Sequence, residues 1–350
     1  MELERSHTEV ISLDQLFSLI DGNIIDPVKD GLFYSRSWFN VIEKTYGFKI
    51  NAAIHSITNN YLIFALVENN LGKKLISLPF SDYIDYEKVD SDSEAEILTY
   101  LEKCYPNYSL LIKTNQEVNK IKWGRPIKVA VYHKILLNPD SNTTNIHSNS
   151  FIRGVKKAKK NGLKIEMSHS LSSLEEFYEM NATYRIQKFN KVPQPYGFFK
   201  NIYNEFISKR NGFVMKAKYN ERTIASALIL SHCNNLYYKF GCSNPEFLKL
   251  RPNNLIFSEL TNYAIENRFN TVDLGLSGIG DEYEGLRRFK ESMGGTSYNI
   301  TYLGKNSEYY PNKSTENFNL FIDHLIEEIL RSQDSKKIKK LSSVVYPYFV

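Results

Sequence analysis

Residues 236–304 read LYYKFGCSNPEFLKLRPNNLIFSELTNYAIENRFNTVDLGLSGIGDEYEGLRRFKESMGGTSYNITYLG, and the order of their patterns decides the fold. Apolar residues alternate with more polar ones from Leu236 to Phe240, which predicts a strand. Pro252 favours a helix start, because the N–H that proline lacks has no intrahelical partner there. A second strand at Thr271–Leu276, a helix over Glu284–Met293 and a third strand are predicted to follow. This alternation indicates an α/β protein with polar residues at strand ends and helix starts, where such proteins build sites.

The predicted helix over residues 284–293 carries a cation with no partner in its own helix. Lys290 has no acidic residue three or four positions away, and Arg287 lies one turn behind it. Two interpretations stay open: an ordinary solvated lysine, or a cation that binds an anion from outside. The helix periodicity predicts a buried face formed by Leu286, Phe289 and Met293.

Several stretches, taken in chain order, resemble one family. They are FYSRSWFNVIEKTYG (33–47), LISLPFSDY (75–83), FIRGVKKAKKNGLKI (151–165), NATYRIQKFNKVPQPYGFFKNIY (181–203), PNNLIFSELTNYAIENRFNTVDLG (252–275) and EGLRRFKESMGG (284–295). Together they resemble the Fem family of peptidoglycan-bridge aminoacyltransferases and the related GNAT-type acetyltransferase-like proteins of polysaccharide gene clusters. The resemblance reaches from the start of the chain to Gly304 and is strongest in the second half.

The two halves of the chain show the same predicted order of elements: two helices, three strands, a helix and a strand. In the first half the second and third helices are predicted at Arg36–Tyr46 and Ser91–Cys104. A length of 350 residues also suits two domains. The resemblance implies that each half is a GNAT-like α/β domain with a mixed sheet, and that the substrate cleft lies between them. We expect a first domain at 1–145, a second at 146–310, and an amphipathic helix with a loose basic tail at 311–350.

Local signals mark some boundaries of these elements. Three capping boxes predict helix starts, namely Ser12 with Gln15, Ser91 with Glu94 and Ser172 with Glu175. Asn220 and Glu221 are predicted to turn a hairpin. The polar stretch at 138–149 is predicted to be a linker between the domains.

Composition indicates a globular protein, with 42% hydrophobic and 24% charged residues, and the net charge of +5 implies nothing specific about nucleic acid. Cys104, Cys233 and Cys242 are odd in number and lack a CxxC spacing, which indicates a reducing compartment and no structural zinc. The histidines are scattered, so no metal site is predicted. The first residues lack a signal-peptide core. We expect a cytoplasmic protein, possibly peripheral at the inner face of the membrane.

The resemblance implies the catalytic residues. Lys290, beside Phe289, would stabilise the negative charge that develops during acyl transfer to an amine. Asp273, at the carboxyl end of its strand, would order the cleft or remove a proton from the amine. Cys242 has no nucleophile motif around it and is interpreted as packing.

The substrate-binding candidates fall in both halves of the chain. Arg185 is implied to bind the diphosphate or carboxylate of an acceptor, and the alternative is a surface ion pair. The other candidates are Tyr34, Trp38, Ser81, Asp82, Tyr83, Tyr196, Tyr238, Asn253 and Asn254. Core or loop packing is the alternative for the first-half residues, and it is favoured for Trp38.

Five basic residues lie on one side of the helix-to-strand segment that begins near Phe151: Arg153, Lys156, Lys157, Lys160 and Lys164. Such a stripe can neutralise the phosphates of RNA, and the resemblance implies tRNA as its ligand. The alternative is a solvated basic face.

The donor is inferred from the resemblance and from two absences. Residues 250–254, Leu-Arg-Pro-Asn-Asn, contain no glycine where an acyl-CoA acetyltransferase has a glycine-rich pyrophosphate loop. The chain also lacks a P-loop. We therefore expect no bound cofactor and aminoacyl-tRNA as the donor substrate, with acyl-CoA as the alternative.

The expected function is transfer of an aminoacyl group from charged tRNA to an amine of a nucleotide- or lipid-linked cell-wall or glycan precursor, without DNA as a partner. Two alternatives stay open: an acyl-CoA-dependent N-acyltransferase of surface polysaccharide biosynthesis, and a non-catalytic GNAT-like binding protein. The basic tail could also contact an anionic membrane.

Overall fold

The computed structural model describes residues 7–24, 31–83, 91–115, 117, 120–137, 146–305, 313–332 and 335–349. The strands are β1 (Thr8–Ser12), β2 (Lys49–His55), β3 (Tyr61–Asn69), β4 (Gly72–Ser77), β5 (Ser109–Thr114), β6 (Arg125–Leu136), β7 (Lys164–Ser168), β8 (Gly212–Tyr219), β9 (Arg222–His232), β10 (Asn235–Ser243), β11 (Thr271–Gly278) and β12 (Thr296–Lys305). The helices are α1 (Leu13–Asp21), α2 (Arg36–Tyr46), α3 (Ser91–Cys104), α4 (Asn149–Lys160), α5 (Leu171–Phe189), α6 (Tyr196–Glu205), α7 (Pro252–Glu266), α8 (Glu284–Ser292), α9 (Lys313–Ser332) and α10 (Ser335–Val345).

The chain divides into two compact units. The first contains residues 1–130, 299–319 and 348–350, and the second contains residues 131–298 and 320–347. Each unit has helices together with parallel and antiparallel strand pairs, so the predicted α/β class with mixed sheets is confirmed.

In the first unit the strand order is β1-β2-β3-β4-β5-β12. Among the pairs in this order only β4–β5 is parallel, and the helix α3 lies between those two strands in the chain. Hairpins join β2 to β3 and β3 to β4. Helix α2 is held at both ends, since the Ser35 hydroxyl accepts from the Trp38 N–H and Gly47 closes the helix at φ 70°. Its buried face, including Trp38 and Phe39, packs into the core of this unit.

In the second unit the strand order is β6-β11-β10-β9-β8-β7. β7 to β10 form an antiparallel meander, and β10 pairs in parallel with β11 through the crossover helix α7. Asn220 and Glu221 make the predicted hairpin turn with φ values of 47° and 62°. One core of this unit is built from apolar faces of β8, β9, α4 and α7, including Ile229, Leu260 and Phe151.

Most predicted elements are confirmed, and the bounds of α2 and α3 match the prediction at both ends. The Ser12–Gln15 capping box is present. Two strands, β1 and β6, were not predicted. Residues 138–145 of the predicted linker lie outside the described residues, and Asn149 is not linker but the first residue of α4.

Two local predictions are wrong. The N-cap of α5 is Ser170, whose hydroxyl accepts from the Ser173 N–H at 3.1 Å, and not Ser172. The run of serines offers several caps, and the earlier one extends the helix by one residue. The basic residues after α9 are not a loose tail, because residues 335–345 form α10, which packs on α5 and α6.

Candidate functional site

The second unit contains a pocket of about 220 Å³. Its walls come from α5, the far end of β10, the start of α7 and helix α8. Three cations line it, Arg185, Lys188 and Lys290, and none of its lining residues is acidic. A pocket with this charge selects an anionic group over a cationic one.

The pocket forms where two neighbouring strands stop pairing. β10 and β11 pair over Asn235–Tyr237 and Thr271–Asp273, and beyond that point the two strands continue without pairing with each other in the described ranges. β10 stays paired with β9, with a register shift between Tyr238 and Phe240. The part of β10 that no longer pairs with β11 supplies one wall of the pocket.

Lys290 reaches the part of β11 that no longer pairs with β10. Its Nζ donates to the carbonyl oxygens of Gly275 and Leu276, each at 2.8 Å, and the residue is 3% exposed. The expectation of a solvated, unpartnered lysine is therefore wrong. Its partners are carbonyl oxygens of another element, which spacing within α8 does not show. Carbonyl acceptors orient the ammonium but leave its charge in place.

The turn that presents those carbonyls is held by Asp273. Its Oδ1 accepts from the Gly275 N–H at 2.7 Å, and the carboxylate is buried. Gly275 has a φ of 70°, which an L-residue adopts only with strain. Asp273 does not line the pocket, but it shapes the segment to which Lys290 is bonded.

The rest of α8 differs from its predicted packing. Met293 is buried, whereas Leu286 is 42% exposed at the pocket wall and Phe289 is half-buried there. Arg288 pairs with Glu284, one turn earlier in the helix, at 2.5 Å. Arg287 does not pair with Glu291, since its Nη1 donates to the carbonyl oxygens of Gly278 and Gly280.

A buried histidine lies behind this helix. His133 in β6 is fully buried, and neither ring nitrogen has a hydrogen-bond partner among the described residues. Burial, followed by the charges of Lys290 and Arg287, lowers the pKa of His133 to about 4. The imidazole is therefore neutral near pH 7, which avoids a third cation beside Lys290.

The α5 wall carries Asn181, Tyr184, Arg185 and Lys188, which lie at helical spacing on one face. The Arg185 Nε donates to the Val192 carbonyl oxygen at 3.0 Å. Of these four residues, only Arg185 was predicted as a binding residue from the sequence. The i, i+3, i+4, i+7 spacing of these polar residues is the signal that could have identified the others.

The β10 wall contains Tyr238, Gly241, Cys242 and Ser243, of which Cys242 is buried. Burial raises the pKa of the Tyr238 hydroxyl and of the Cys242 thiol. The thiol is therefore protonated and a poor nucleophile, in keeping with its interpretation as packing.

The remaining second-half candidates differ in their positions. Asn253 lines the pocket, and its Oδ1 accepts from the Ser243 hydroxyl at 2.7 Å. Asn254 is buried and faces α4, where its Nδ2 donates to the Phe151 carbonyl oxygen at 3.4 Å. Tyr196 lies outside the pocket lining, and its hydroxyl donates to Glu175 at 2.8 Å.

The basic stripe is exposed along its whole length. Ser148 caps α4, whose apolar face is buried through Phe151 and Ala158. The opposite side presents Arg153, Lys156, Lys157, Lys160 and Lys164, and none of these five is ion-paired to a described residue. Lys159, at the edge of the stripe, pairs with Glu259 at 3.0 Å.

The first-half candidates lie together in the first unit. The Trp38 Nε1 donates to the Ser81 hydroxyl at 2.8 Å, and Trp38 and Tyr83 both pack edge-on against Phe33. Trp38, Tyr83 and Tyr34 are buried, and Asp82 is partly exposed. Burial, followed by the charge of Asp82, raises the pKa of Tyr302 to about 12.

Lys113, in the same unit, was not predicted. It is 6% exposed, and its Nζ donates to the carbonyl oxygens of Leu78 and Ser81 at 3.0 and 2.5 Å. It fixes the loop that carries Ser81 and Asp82. The signal in the sequence was a lysine directly after the apolar run Leu110–Ile112 of the strand SLLIKT.

Comparisons with known proteins bear on the fold. A family model described as an acetyltransferase (GNAT) domain matches residues 147–291, which include α4, Lys290 and all the pocket-lining residues except Met293. No curated protein gives a significant match.

Similar solved structures include that of FemX, at 14% identity and a TM-score of 0.59, with 84% of this chain and 97% of that chain covered. The C-terminal domain of a putative lysylphosphatidylglycerol synthetase from Agrobacterium fabrum aligns at 9% identity and a TM-score of 0.54, covering 84% and 93%. L-PGS from Bacillus licheniformis aligns at 12% identity and a TM-score of 0.53, covering 93% and 99%. The predicted resemblance to Fem and GNAT-type proteins is thus confirmed in the fold.

In the part of the chain that the structure describes, no helix is both long and apolar enough to cross a membrane. No group of three or more His, Cys, Asp or Glu side chains there is arranged to hold a metal ion. All three cysteines are free, with Cys104 and Cys233 exposed.

Proposed function

We propose that the protein is an acyltransferase that moves an aminoacyl group from aminoacyl-tRNA to an amine of a cell-wall or glycan precursor. The observation that carries the proposal is the pocket of the second unit, where Lys290 lies beside Phe289 and no acidic residue lines the wall. The matched GNAT domain and the similarity to FemX support acyl transfer on this fold. The similarity to the C-terminal domain of a putative lysylphosphatidylglycerol synthetase supports an aminoacyl group as the group transferred.

In the proposed reaction the acceptor amine attacks the ester carbonyl of the aminoacyl group. A C–N bond forms, the C–O bond to the ribose breaks, and the ribose oxygen leaves with a proton that the amine gives up. Negative charge grows first on the carbonyl oxygen and then on the ribose oxygen. The Lys290 ammonium, held by two carbonyl oxygens, stabilises that charge without reorienting during the reaction.

Asp273 has a supporting part in this proposal. It holds the Gly275 turn to which Lys290 is bonded, which corresponds to the role of ordering the cleft. Arg185 and Lys188 would bind a phosphate of the bound substrate, because both cations line the same pocket. In the first unit, Asp82 and its neighbours on the loop fixed by Lys113 would contact the acceptor.

The exposed stripe on α4 supports tRNA as the donor. Its five cations lack acidic partners among the described residues, so their charge is available to an external polyanion. A lipid-linked acceptor would bring the protein to the inner face of the membrane. Lys339 would add little to such contact, since it is paired with Glu179 at 2.5 Å.

A second candidate function is acyl-CoA-dependent N-acyl transfer to a sugar of a surface polysaccharide. The description of the matched domain as an acetyltransferase favours it. The glycine-free start of α7 disfavours it, because Pro252 removes one backbone donor from the place where a pyrophosphate would bind.

The deciding experiment supplies tRNA charged with labelled amino acids together with an amine-bearing precursor. We expect label in the precursor and complete loss of transfer after RNase treatment. RNase-resistant turnover with acetyl-CoA would replace the first function with the second. Absence of transfer from both donors, with tRNA still bound, would identify a binding protein.

A further inference from the structure

Tyr238 lies at the point where strand β10 separates from strand β11. The last residue pair that the two strands share is Tyr237 with Asp273, so Tyr238 is the first residue of β10 beyond it. Its side chain lines the same pocket as Lys290. The two carbonyl oxygens of β11 that hold Lys290 also lie just beyond the shared pairs. The separation of the strands therefore brings a phenol and an ammonium to one pocket.

Aromatic packing holds the Tyr238 ring in place. The ring lies edge-on to Phe257, with the ring centroids 4.8 Å apart and the planes at 69°. Phe257 in turn lies edge-on to Phe289, at 6.0 Å and 74°. All three rings line the pocket. Because Phe289 directly precedes Lys290, this row of rings fixes the phenol relative to the helix that carries the ammonium.

Gly241 leaves the space that the Tyr238 hydroxyl occupies. A Cβ added at Gly241 would collide with that hydroxyl, and it would lie 2.8 Å from the ring carbon Cζ. Gly241 is not among the residues with a positive φ, so the site uses the small size of this glycine and not its conformational freedom. Gly241 is itself exposed and lines the pocket, which places the hydroxyl at the pocket surface.

The Tyr238 hydroxyl makes no hydrogen bond to a residue that the structure describes. Burial raises its pKa, so the phenol keeps its proton at neutral pH. A protonated phenol in this position can donate to an incoming oxygen without first breaking a bond inside the protein. Its surroundings thus suit a hydrogen-bond donor better than a group that gives up its proton.

Lys290 alone cannot serve both oxygens that become negative during acyl transfer. Its Nζ donates to the carbonyl oxygens of Gly275 and Leu276, so at most one of its three hydrogens is available to the reacting group. In the proposed reaction, charge grows on the carbonyl oxygen and then on the ribose oxygen. A second donor in the pocket would stabilise the oxygen that Lys290 does not reach.

We propose that Tyr238 is a catalytic residue, whose hydroxyl donates a hydrogen bond to the carbonyl oxygen of the acyl group under attack. The inference rests on the proposed function for the reaction and adds a second donor to it. As the amine forms the C–N bond, the electron pair of the C=O double bond moves onto that oxygen. Tyr238 keeps its proton throughout, and the amine proton leaves with the ribose oxygen when the C–O bond breaks. The hydrogen bond is strongest while the oxygen is charged, so it stabilises the transition state more than the bound substrate.

The test measures single-turnover transfer from saturating charged tRNA by the full-length protein. Tyr238→Phe should lower the rate about a hundredfold, the scale for loss of one oxyanion donor. The Kd of the donor should change by less than about threefold, because the bond is strong only in the transition state. The melting temperature should stay parental, since the ring packing remains and no hydrogen bond within the described protein is lost.

Gly241→Ala keeps the phenol but displaces its hydroxyl. It should lower the rate about ten- to a hundredfold, because catalysis is sensitive to small displacements of a reacting group. The same change in Tyr238→Phe should have little further effect, since no hydroxyl is left to displace. Tyr263→Phe is the matched control, as Tyr263 packs its ring on Phe213 and Phe269 outside the pocket. Its rate should be parental.

A parental rate in folded Tyr238→Phe would overturn the inference, and so would a loss confined to the Kd of the donor. Failure of the proposed function looks different. If acetyl-CoA and not charged tRNA supports transfer by the parent, the same losses are expected with acetyl-CoA, whose thioester carbonyl oxygen would accept the same hydrogen bond. If the parent transfers from neither donor, the proposed function fails and the catalytic role of Tyr238 fails with it.

Discussion

The Lys290 Nζ lies 2.8 Å from the carbonyl oxygen of Gly275, and this bond joins helix α8 to strand β11 beside the pocket. The acceptor belongs to a residue whose own N–H is held by Asp273. Asp273, Gly275 and Lys290 thus form one connected arrangement, in which a buried carboxylate shapes the turn that orients the cation. The variants proposed below separate the structural part of this arrangement from its chemical part.

Lys290→Ala should lower the single-turnover rate of transfer by about a hundredfold or more, the scale for loss of one transition-state donor. It should also lower the free energy of unfolding by about 1–3 kcal/mol, because two buried carbonyl oxygens lose their donor. Lys290→Gln supplies an amide donor without charge, so it should recover part of the stability and little of the rate. A near-parental rate in folded Lys290→Ala would remove Lys290 from the mechanism.

Reversal of Lys156, Lys157 and Lys160 to glutamate should weaken tRNA binding and make the slope of log K against log salt shallower by about three, roughly one unit per lost contact. The control reverses Lys49, Lys103 and Lys191, which are also exposed. This control changes the net charge by the same amount. Filter binding over a range of salt concentrations measures both. Equal losses in the two triple variants would show that only net charge matters.

His133 should make the protein less stable in acid. The unfolded histidine binds a proton below about pH 6.5, whereas the folded one resists protonation until about pH 4. The unfolded state then holds more protons, so stability falls as the pH decreases through this window, by up to about 3 kcal/mol. Urea unfolding at several pH values should show a smaller decrease for His133→Leu than for the parent. An unchanged pH profile in that variant would contradict the neutral, buried histidine.

Gly154→Ala should destabilise the contact between α4 and α7. A Cβ at this position would lie 2.5 Å from Asn254 Nδ2, and Asn254 is buried. We expect a loss of about 1–3 kcal/mol from overpacking. Gly197→Ala, at a helical site with no atom within 4 Å of the new Cβ, should instead stabilise by about 0.5–1 kcal/mol. Thermal melts check both, and recovery in Gly154→Ala/Asn254→Ala would assign the loss to this contact. Equal melts for the two single variants would contradict it.

Local sequence patterns correctly predicted those helices and strands whose conformation is determined by residues close to them in the sequence. Helix α2 has a serine cap, a periodic apolar face and a terminal glycine, and its bounds were predicted at both ends. Strand β6 begins with Arg125 and Pro126 and is exposed over its first residues, so its sequence gives little strand signal. Its pairing is determined by strands distant in the sequence, which a local pattern does not contain.

The site was predicted in part for the same reason. The spacing within α8 correctly showed that Lys290 has no acidic partner in its helix. It did not show the carbonyl oxygens of Gly275 and Leu276, which lie 14 or 15 residues earlier in another element. Lys188 was missed because its importance comes from sharing a pocket wall with Arg185.

Beyond their shared pairs, β10 and β11 separate, and the Lys290 ammonium donates to two carbonyl oxygens of β11, those of Gly275 and Leu276. Lys290 therefore serves the sheet as well as the pocket. A chain of this fold that catalysed no transfer would still gain stability from a donor at this position. Retention of the lysine alone would then not indicate activity, and a change of pocket function would be marked more directly by changes in Phe289, Arg185 and Lys188.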